Sequence, residues 1–189
     1  MRRQTHFRRV ALAASLVGLA LVMSGCGYNT LVSEREQVDA GWSEVENQLQ
    51  RRNDLIPNLV STVKGFAAQE KEVLTEVTEA RSRVAGAGTP SESMQASNQL
   101  SGALSRLLVV VERYPELKSN QNFIRLQDEL AGTENRLAVA RKRYNDAVRA
   151  YNTTTKRFPT NLMAGLFGFD GRDYFEAPSA AKEAPTVEF

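Results

Sequence analysis

Residues that carry catalysis and metal binding are scarce in this sequence of 189 residues. It contains one cysteine, Cys26, and one histidine, His6. A single cysteine excludes an internal disulfide. Without a histidine after residue 6, Ser–His and Cys–His nucleophiles are excluded, as are the Glu-x-x-His pairs of di-iron bundles. No strand pattern is present to support a glycine-rich phosphate loop. We therefore predict that the protein is not an enzyme and has no catalytic residue, metal site or cofactor.

The N-terminal segment has the pattern of a secretory signal sequence. Residues 1–9, MRRQTHFRR, carry four arginines and no acidic residue, and residues 10–23 carry no charge. This apolar segment is shorter than the ~20 residues that a membrane-spanning helix requires. A basic head, a short apolar body and small residues at its end are typical of a cleaved signal. We predict that residues 1–25 are a signal peptide or membrane anchor.

Cys26 comes directly after the apolar segment and the small residues Ser24 and Gly25. The segment LVMSGC resembles the lipobox of bacterial lipoproteins, in which an apolar residue and two small residues precede a cysteine. The resemblance implies that Cys26 is a lipid attachment site and that the chain is cut just before it. Two alternatives remain open. One is an uncleaved spanning segment from Val10 to Gly27, since helix tilt leaves the length limit soft, and the other is a buried structural thiol.

Cleavage at this point changes the charge balance of the chain. The whole sequence has 24 basic residues against 22 acidic ones, for a formal net charge of +2. Loss of the four signal arginines leaves 20 basic residues and a net charge of −2. The basic excess therefore belongs to the signal, and we predict no nucleic-acid partner.

Most of the remaining chain has the periodicity of long, packed helices, with apolar residues recurring every seven positions in two rows. The first row is Val38, Val45, Leu59, Phe66, Val73 and Ala80, and the second is Trp42, Leu49, Ile56, Val63, Val77 and Val84. Glu70 falls in the second row among valines. We expect it to be a polar residue of the helix seam, paired with an arginine.

Glycine and proline divide the rest of the chain. The segment GAGTPSES, residues 86–93, predicts the end of one helix and the start of another with Ser91 as its N-cap. Pro115 predicts the end of that second helix, because the residue before a proline avoids the helical region. The last helix carries Phe123, Leu130, Leu137, Tyr144 and Tyr151 at intervals of seven. It is predicted to end near Pro159, and residues 159–189 are predicted to form an irregular, partly mobile extension packed on the helices.

The segment RRNDLIPN, residues 51–58, admits two interpretations. Asn53 or Asp54 can cap a new helix with Pro57 in its first turn, where the missing N–H costs nothing, so that the chain turns a tight corner. Alternatively, one long helix kinks at Pro57, since the heptad rows pass through Pro57 without a change of phase. The residues alone do not decide between the corner and the kink.

Three long segments resemble the LemA family: YNTLVSE to EVTEAR (28–81), LLVVVERYPELK to AVRAYN (107–152) and FPTNLMAGLFGFDGRDYFEAP (158–178). The resemblance implies an all-α fold, namely an antiparallel four-helix bundle over residues 26–158 behind an N-terminal membrane anchor. It favours the corner over the kink. It also implies that the residues of the RRNDLIPN motif have structural or interaction roles. These residues are Arg51, Arg52, Asn53, Asp54, Pro57 and Asn58.

The LemA family has no established enzymatic activity, and its members are often encoded beside envelope proteins with a TPM domain. The resemblance implies a membrane-anchored, non-catalytic helical scaffold or adaptor of the bacterial cell envelope. Its partners would be envelope proteins such as the TPM-domain neighbours, or further copies of the chain. The alternative is a membrane-organising protein that self-assembles on anionic lipid or binds it. Its candidate contact residues are Lys142, Arg143, Arg149, Lys156 and Arg157.

The residue after the cysteine bears on localisation. Gly27 stands where an aspartate typically retains lipoproteins at the inner membrane. The resemblance to that sorting rule favours the outer membrane, with the helices facing the periplasm, in a cell with two membranes. In a cell with one membrane, the lipobox resemblance implies a lipid-anchored protein on the extracytoplasmic side of the cell membrane.

Overall fold

The computed structural model describes the backbone of residues 2–175 and the side chains of residues 27–175. The described chain is helical and contains no strand, which confirms the all-α class. Its helices are α1 (Arg2–Phe66), α2 (Lys71–Gly86), α3 (Pro90–Val111), α4 (Pro115–Lys118), α5 (Gln121–Lys156) and α6 (Thr160–Phe167). The Cys26 side chain, predicted to carry lipid, and the extension after Phe175 lie outside the described residues. Among the residues that are described, none of the helices combines the length and apolar character needed to cross a membrane.

Helix α1 continues through the RRNDLIPN motif without interruption. The corner expected at Asn53 or Asp54 is therefore wrong. A proline inside a helix lacks the N–H that would bond to the carbonyl four residues earlier, here that of Asn53. Arg81 of α2 replaces this donor, since its Nε donates to the Asn53 backbone oxygen at 3.3 Å. The unbroken phase of the heptad rows agrees with one helix. Leu49, Ile56 and Val63, which follow one another in the second row, are all buried.

The first turn lies further along the chain, between α1 and α2. The Ala67 N–H donates to the Val63 carbonyl at 2.8 Å, and the Glu70 N–H donates to the Ala67 carbonyl at 3.1 Å. The Glu70 carboxylate accepts hydrogen bonds from the Tyr114 hydroxyl at 2.7 Å and from Arg113 Nη2 at 3.1 Å. The expected pairing of Glu70 with an arginine is confirmed, but Glu70 lies in the turn before α2 rather than on a helix seam. The hydrogen bond to Glu70 also raises the pKa of Tyr114.

Helices α2 and α3 form an antiparallel hairpin at the predicted glycine-rich break. The N-cap of α3 is Thr89 rather than Ser91 as expected. The Thr89 hydroxyl accepts from the Glu92 N–H, and the Glu92 carboxylate accepts from the Thr89 N–H, which makes a capping box. The pairs Arg83–Gln99 and Glu76–Arg106 bridge the two helices, and their numbering runs in opposite directions.

The described residues divide into two compact units. Unit 1 holds the residues up to Ala40 together with Asp146–Arg172. Unit 2 holds Gly41–Asn145 together with the residues from Asp173 onward. Both α1 and α5 therefore contribute a segment to each unit.

Unit 2 is built around an apolar core from α1, α2, α3 and α5. Its fully buried members include Ile56, Val63, Val77, Ala103 and Leu107. Trp42, predicted from its heptad position to be a core residue, is only half-buried, and it meets the Tyr144 ring edge to face with 5.4 Å between centroids. A Cβ on Gly41 would lie 3.3 Å from the Tyr144 Cα, so glycine allows a close approach of α1 and α5 within this unit.

In unit 1, residues 27–40 of α1 lie with the end of α5 and with α6. Leu31, Val38 and Tyr151 are buried in it. The Asn152 side chain ties down the segment after α6, because its Nδ2 donates to the Arg172 carbonyl and its Oδ1 accepts from the Arg172 N–H, both at 2.8 Å. Helix α6 lies within the extension that was expected to be irregular, so that expectation is wrong for Thr160–Phe167. The C-cap of α6 is Gly168, whose φ of 68° is in the left-handed region that favours glycine.

Replacing Pro57 with alanine tests the continuity of α1. In a helix interior, proline is less favourable than alanine by about 3 kcal/mol, so Pro57→Ala should increase the free energy of unfolding by about 1–3 kcal/mol. Urea denaturation followed by circular dichroism measures this change. Asn58→Ala is the matched control, since Asn58 is also exposed in the same turn. A loss of stability in Pro57→Ala would contradict the continuous helix, because proline is favourable in the first turn after a corner.

Candidate functional site: a buried arginine pair beside a cavity

The RRNDLIPN motif presents different side chains to the solvent and to the interior of unit 2. Arg52, Asn53 and Ile56 are buried and Leu55 is partly buried, whereas the other four motif residues are exposed. These exposed residues are Arg51, Asp54, Pro57 and Asn58. Arginine is rarely buried unless its charge is paired, so Arg52 is the motif residue whose environment requires explanation.

Arg52 of α1 contacts both α3 and α5. Its side chain is 7% exposed, and its Nη1 lies 2.9 Å from Oε2 of Glu134. The same Nη1 donates a hydrogen bond to the Ser101 hydroxyl at 3.0 Å. Burial lowers the pKa of Arg52, and the negative charge of Glu134 opposes that effect. Because the ordinary pKa of arginine is so high, the guanidinium stays charged and unit 2 encloses a cation.

Arg141 of α5 is a second, largely buried cation that uses the same acid. Its Nη2 donates to the Ser97 hydroxyl at 2.9 Å, and its Nη1 lies 3.7 Å from Oε1 of Glu134. Its guanidinium carbon lies 4.4 Å from the centre of the Phe175 ring, which is a cation–π contact. Burial lowers the pKa of Arg141, Glu134 raises it, and the positive charge of Arg52 lowers it further.

We use the term arginine pair for Arg52 and Arg141 together with Glu134, the acid that they share. These three side chains have a net charge of +1. The Nε atoms of both arginines are buried and have no hydrogen-bond partner among the described residues. Two buried acceptors, Asn53 Oδ1 and Glu134 Oε2, also lack a hydrogen-bond partner among these residues, although Glu134 Oε2 lies 2.9 Å from Arg52 Nη1. Most buried polar atoms in proteins are hydrogen-bonded, so unused donors near an excess positive charge are typical of a binding site for an anionic group.

A cavity of about 380 Å³ adjoins the arginine pair in unit 2. It is lined on its apolar side by Leu59, Leu104, Leu107, Leu108, Leu130 and Ala131, and on its polar side by Arg52, Ser101, Ser105, Gln127 and Glu134. An apolar cleft with a cation at one end suits a ligand or peptide side chain that combines an apolar body with an acidic group. Guanidinium groups do not exchange protons near neutral pH, so the arrangement favours binding over acid–base chemistry.

The residues proposed for lipid contact are all exposed, but they belong to different units. Lys142 and Arg143 lie in unit 2, whereas Arg149, Lys156 and Arg157 lie in unit 1.

Sequence reasoning did not identify Glu134, Arg141, Ser97 or Ser101 as members of a site. The available signal was weak, since Ser97 and Ser101 are hydroxyls four residues apart in an apolar helix that carries leucines.

Removing the shared acid should destabilise unit 2 more than removing one arginine. Glu134→Gln leaves two buried cations facing each other, so we expect a loss of about 2 kcal/mol in the free energy of unfolding. Arg52→Met preserves side-chain volume and leaves Glu134 beside Arg141, so its loss should be smaller. Urea denaturation measures the free energy of unfolding of the two variants and of their double mutant. The loss in the double mutant should be smaller than the sum of the two single losses.

The matched control for this comparison is Arg106→Gln, which breaks an exposed ion pair with Glu76. Such pairs contribute about 0–1 kcal/mol. If Glu134→Gln costs no more than Arg106→Gln, the arginine pair does not depend on its shared acid.

Comparison with known proteins finds relatives that cover most of this chain. The chain is similar to Magnetosome protein MamQ 2 of Paramagnetospirillum magneticum, with 30% identity over 81% of this chain and 66% of that protein. It is also similar to Magnetosome protein MamQ of Magnetospirillum gryphiswaldense, with 27% identity over the same shares. Protein LemA of Metamycoplasma hominis is 21% identical over 72% of this chain and 63% of its own length.

The chain thus spans slightly less than two thirds of the length of these relatives. The model of the LemA family matches residues 41–189, which include the RRNDLIPN motif and every residue of the arginine pair. The chain belongs to the LemA family.

Proposed function

We propose that this protein is a membrane-anchored, non-catalytic helical scaffold or adaptor of the bacterial cell envelope. The observation that carries the proposal is the cavity beside the arginine pair. It offers an apolar surface with a permanently charged guanidinium on its polar side, where Arg52 is paired with Glu134. Membership of the LemA family and similarity to magnetosome proteins support association with a membrane.

The scaffold itself is proposed to be an antiparallel four-helix bundle. Within unit 2 the segments of α1 and α5 run in opposite directions, because Gly41 approaches Tyr144 whereas the later residue Arg52 contacts the earlier residue Glu134. The α2–α3 hairpin supplies the other two helices. The sequence boundaries proposed for the bundle and its extension are 26–158 and 159–189.

Anchoring is proposed to occur through lipid on Cys26, with residues 1–25 removed as a signal peptide. Two or more acyl chains hold a protein stably on a membrane, whereas a single chain does so only marginally. A spanning helix over residues 10–27 is the alternative anchor. In either case the helices are proposed to lie on the extracytoplasmic side, facing the periplasm where the cell has two membranes.

The partner is proposed to be another envelope protein, such as a TPM-domain neighbour, that inserts an apolar segment with an acidic side chain into the cavity. Charge complementarity supports this choice, since the cavity wall includes a buried guanidinium with an unused Nε donor. A second copy of this chain is the other candidate, in which case the protein is a homo-oligomer.

The alternative function is direct action on the bilayer. The basic residues Lys142, Arg143, Arg149, Lys156 and Arg157 are all exposed, as contact with anionic headgroups requires. They are spread over both units, so the arginine pair and its cavity carry the scaffold proposal more directly.

The anchor can be tested by the intact mass of the protein extracted from native membranes. The mass is expected to begin at Cys26 and to include acyl groups. In Cys26→Ser these groups should disappear, and the protein should remain uncleaved or leave the membrane fraction. Ser24→Ala is the control, because it keeps a small residue before the cysteine and should be processed normally. A chain that retains Met1 and carries no lipid would show that the anchor is the N-terminal helix.

The cavity can be tested by photo-cross-linking in intact cells. We expect benzoylphenylalanine at Leu108, which lines the cavity, to give a discrete protein adduct. The same probe at Val109, which is adjacent and more exposed but does not line the cavity, is the control and should give none. Ala131→Trp, which fills the cavity, should abolish the Leu108 adduct.

The identity of the adduct separates the two functions. A protein adduct that depends on the open cavity supports the scaffold. A lipid adduct at Leu108 would favour the bilayer-acting alternative, and equal adducts at Leu108 and Val109 would remove the cavity from the argument.

A further inference from the structure

Helix α6 in unit 1 exposes an unusually apolar stripe. Phe158, Leu162 and Leu166 recur every four residues and are 76%, 63% and 75% exposed. Residues four apart lie on one face of a helix, so Leu162 and Leu166 share a face of α6, whereas Phe158 lies in the turn before the helix. The opposite side of α6 is held in unit 1 through Ala164, which is buried. Large apolar side chains gathered on one exposed face are typical of a surface that binds a protein or a membrane.

The position of α6 in the fold indicates which of these it meets. A Cβ on Gly27 would lie 3.8 Å from Cγ2 of Thr160, the first residue of α6. At the other end of α6, the Phe167 ring packs edge-on against Tyr28, with 5.1 Å between centroids. Helix α6 therefore lies against the two residues that follow Cys26.

Both modes of anchoring place those residues at the membrane surface. A lipid on Cys26 inserts directly beside Gly27, and a spanning segment over residues 10–27 leaves the bilayer at the same point. Either anchor thus brings α6 to the interface between acyl chains and headgroups. Aromatic residues such as Tyr28 are enriched at this depth.

The charges around α6 suit an anionic membrane. Lys156 and Arg157 are exposed immediately before the helix. No acidic residue occurs in the sequence between Asp146 and Asp170. A short apolar face next to lysine and arginine is the composition of helices that lie in the plane of a bilayer surface.

We propose that α6 is a membrane-docking helix that inserts Phe158, Leu162 and Leu166 into the leaflet that holds the anchor, while Lys156 and Arg157 contact lipid phosphates. This inference rests on the proposed anchoring and adds a second point of attachment to it. Two contacts with the bilayer fix the orientation of unit 1, whereas a single lipid tether leaves it free to pivot.

The test uses tryptophan fluorescence, because Trp42 is the single tryptophan of the chain. The full chain carrying Trp42→Phe and Leu166→Trp is reconstituted into phosphatidylglycerol–phosphatidylcholine vesicles with a doxyl quencher at acyl carbon 5. A side chain inserted at the acyl boundary should lose about half of its fluorescence relative to vesicles without quencher. Leu162→Trp in the same background is the second probe, in case Leu166→Trp alters folding.

The control is Val109→Trp in the same background, since Val109 is an exposed apolar residue of unit 2 on α3. It should show little quenching, and quenching equal to that of Leu166→Trp would overturn the assignment to α6. Flotation of each variant with the vesicles reports anchoring separately. A chain that floats but is not quenched at residues 162 and 166 refutes docking and leaves the anchor intact, whereas a chain that does not float refutes both.

A further readout identifies a competing occupant of the stripe. If lipid covers residue 166, aqueous iodide should only weakly quench the tryptophan fluorescence of Leu166→Trp in detergent-free vesicles. Protection from iodide without quenching by doxyl lipid would show that protein, such as a second copy of this chain, covers the stripe, and would overturn the proposal.

Discussion

The contact on which unit 2 depends is the sharing of one carboxylate by two buried guanidiniums. Glu134 of α5 lies between Arg52 of α1 and Arg141 of its own helix, and the serine hydroxyls of α3 accept from both arginines. Three helices are therefore joined by a polar cluster in which the loss of Glu134 leaves two largely buried guanidiniums without their shared counter-charge. Such a cluster constrains the register of the helices, because an apolar core alone tolerates sliding by a turn.

The RRNDLIPN motif contributes to this constraint twice. Arg52 supplies a cation, and five residues later Pro57 removes a backbone donor that Arg81 of α2 replaces at the Asn53 carbonyl. The same short segment of α1 is thus tied to α2 through a backbone oxygen and to α3 and α5 through a side chain. Motif residues that look like the signals of a helix terminus are used instead to join a continuous helix to its neighbours.

The helical class, the break at residues 86–93 and the end of α5 could be predicted from the sequence, because glycine, proline and heptad periodicity are local signals. The turn at Ala67–Glu70 could not, since it contains neither glycine nor proline and the heptad rows run through it. The continuity of α1 depends on Arg81, which is distant in sequence. Glu134 and Arg141 were missed because charged residues on helices are ordinarily solvated, and only the tertiary structure shows that these two are not.

The two units differ in the chemistry that they present. Unit 2 holds Arg52 and Arg141 inside, where burial strengthens their attraction for an anion, and the cavity wall limits which anion can reach Arg52. Unit 1 holds Lys156 and Arg157 outside, beside exposed apolar residues, where the surrounding water screens charge and only a surface dense in negative charge attracts them strongly. Buried cations favour selection of one partner, whereas exposed cations next to apolar side chains favour an extended surface. The proposed scaffold uses both kinds of contact, because each is selective for a different target.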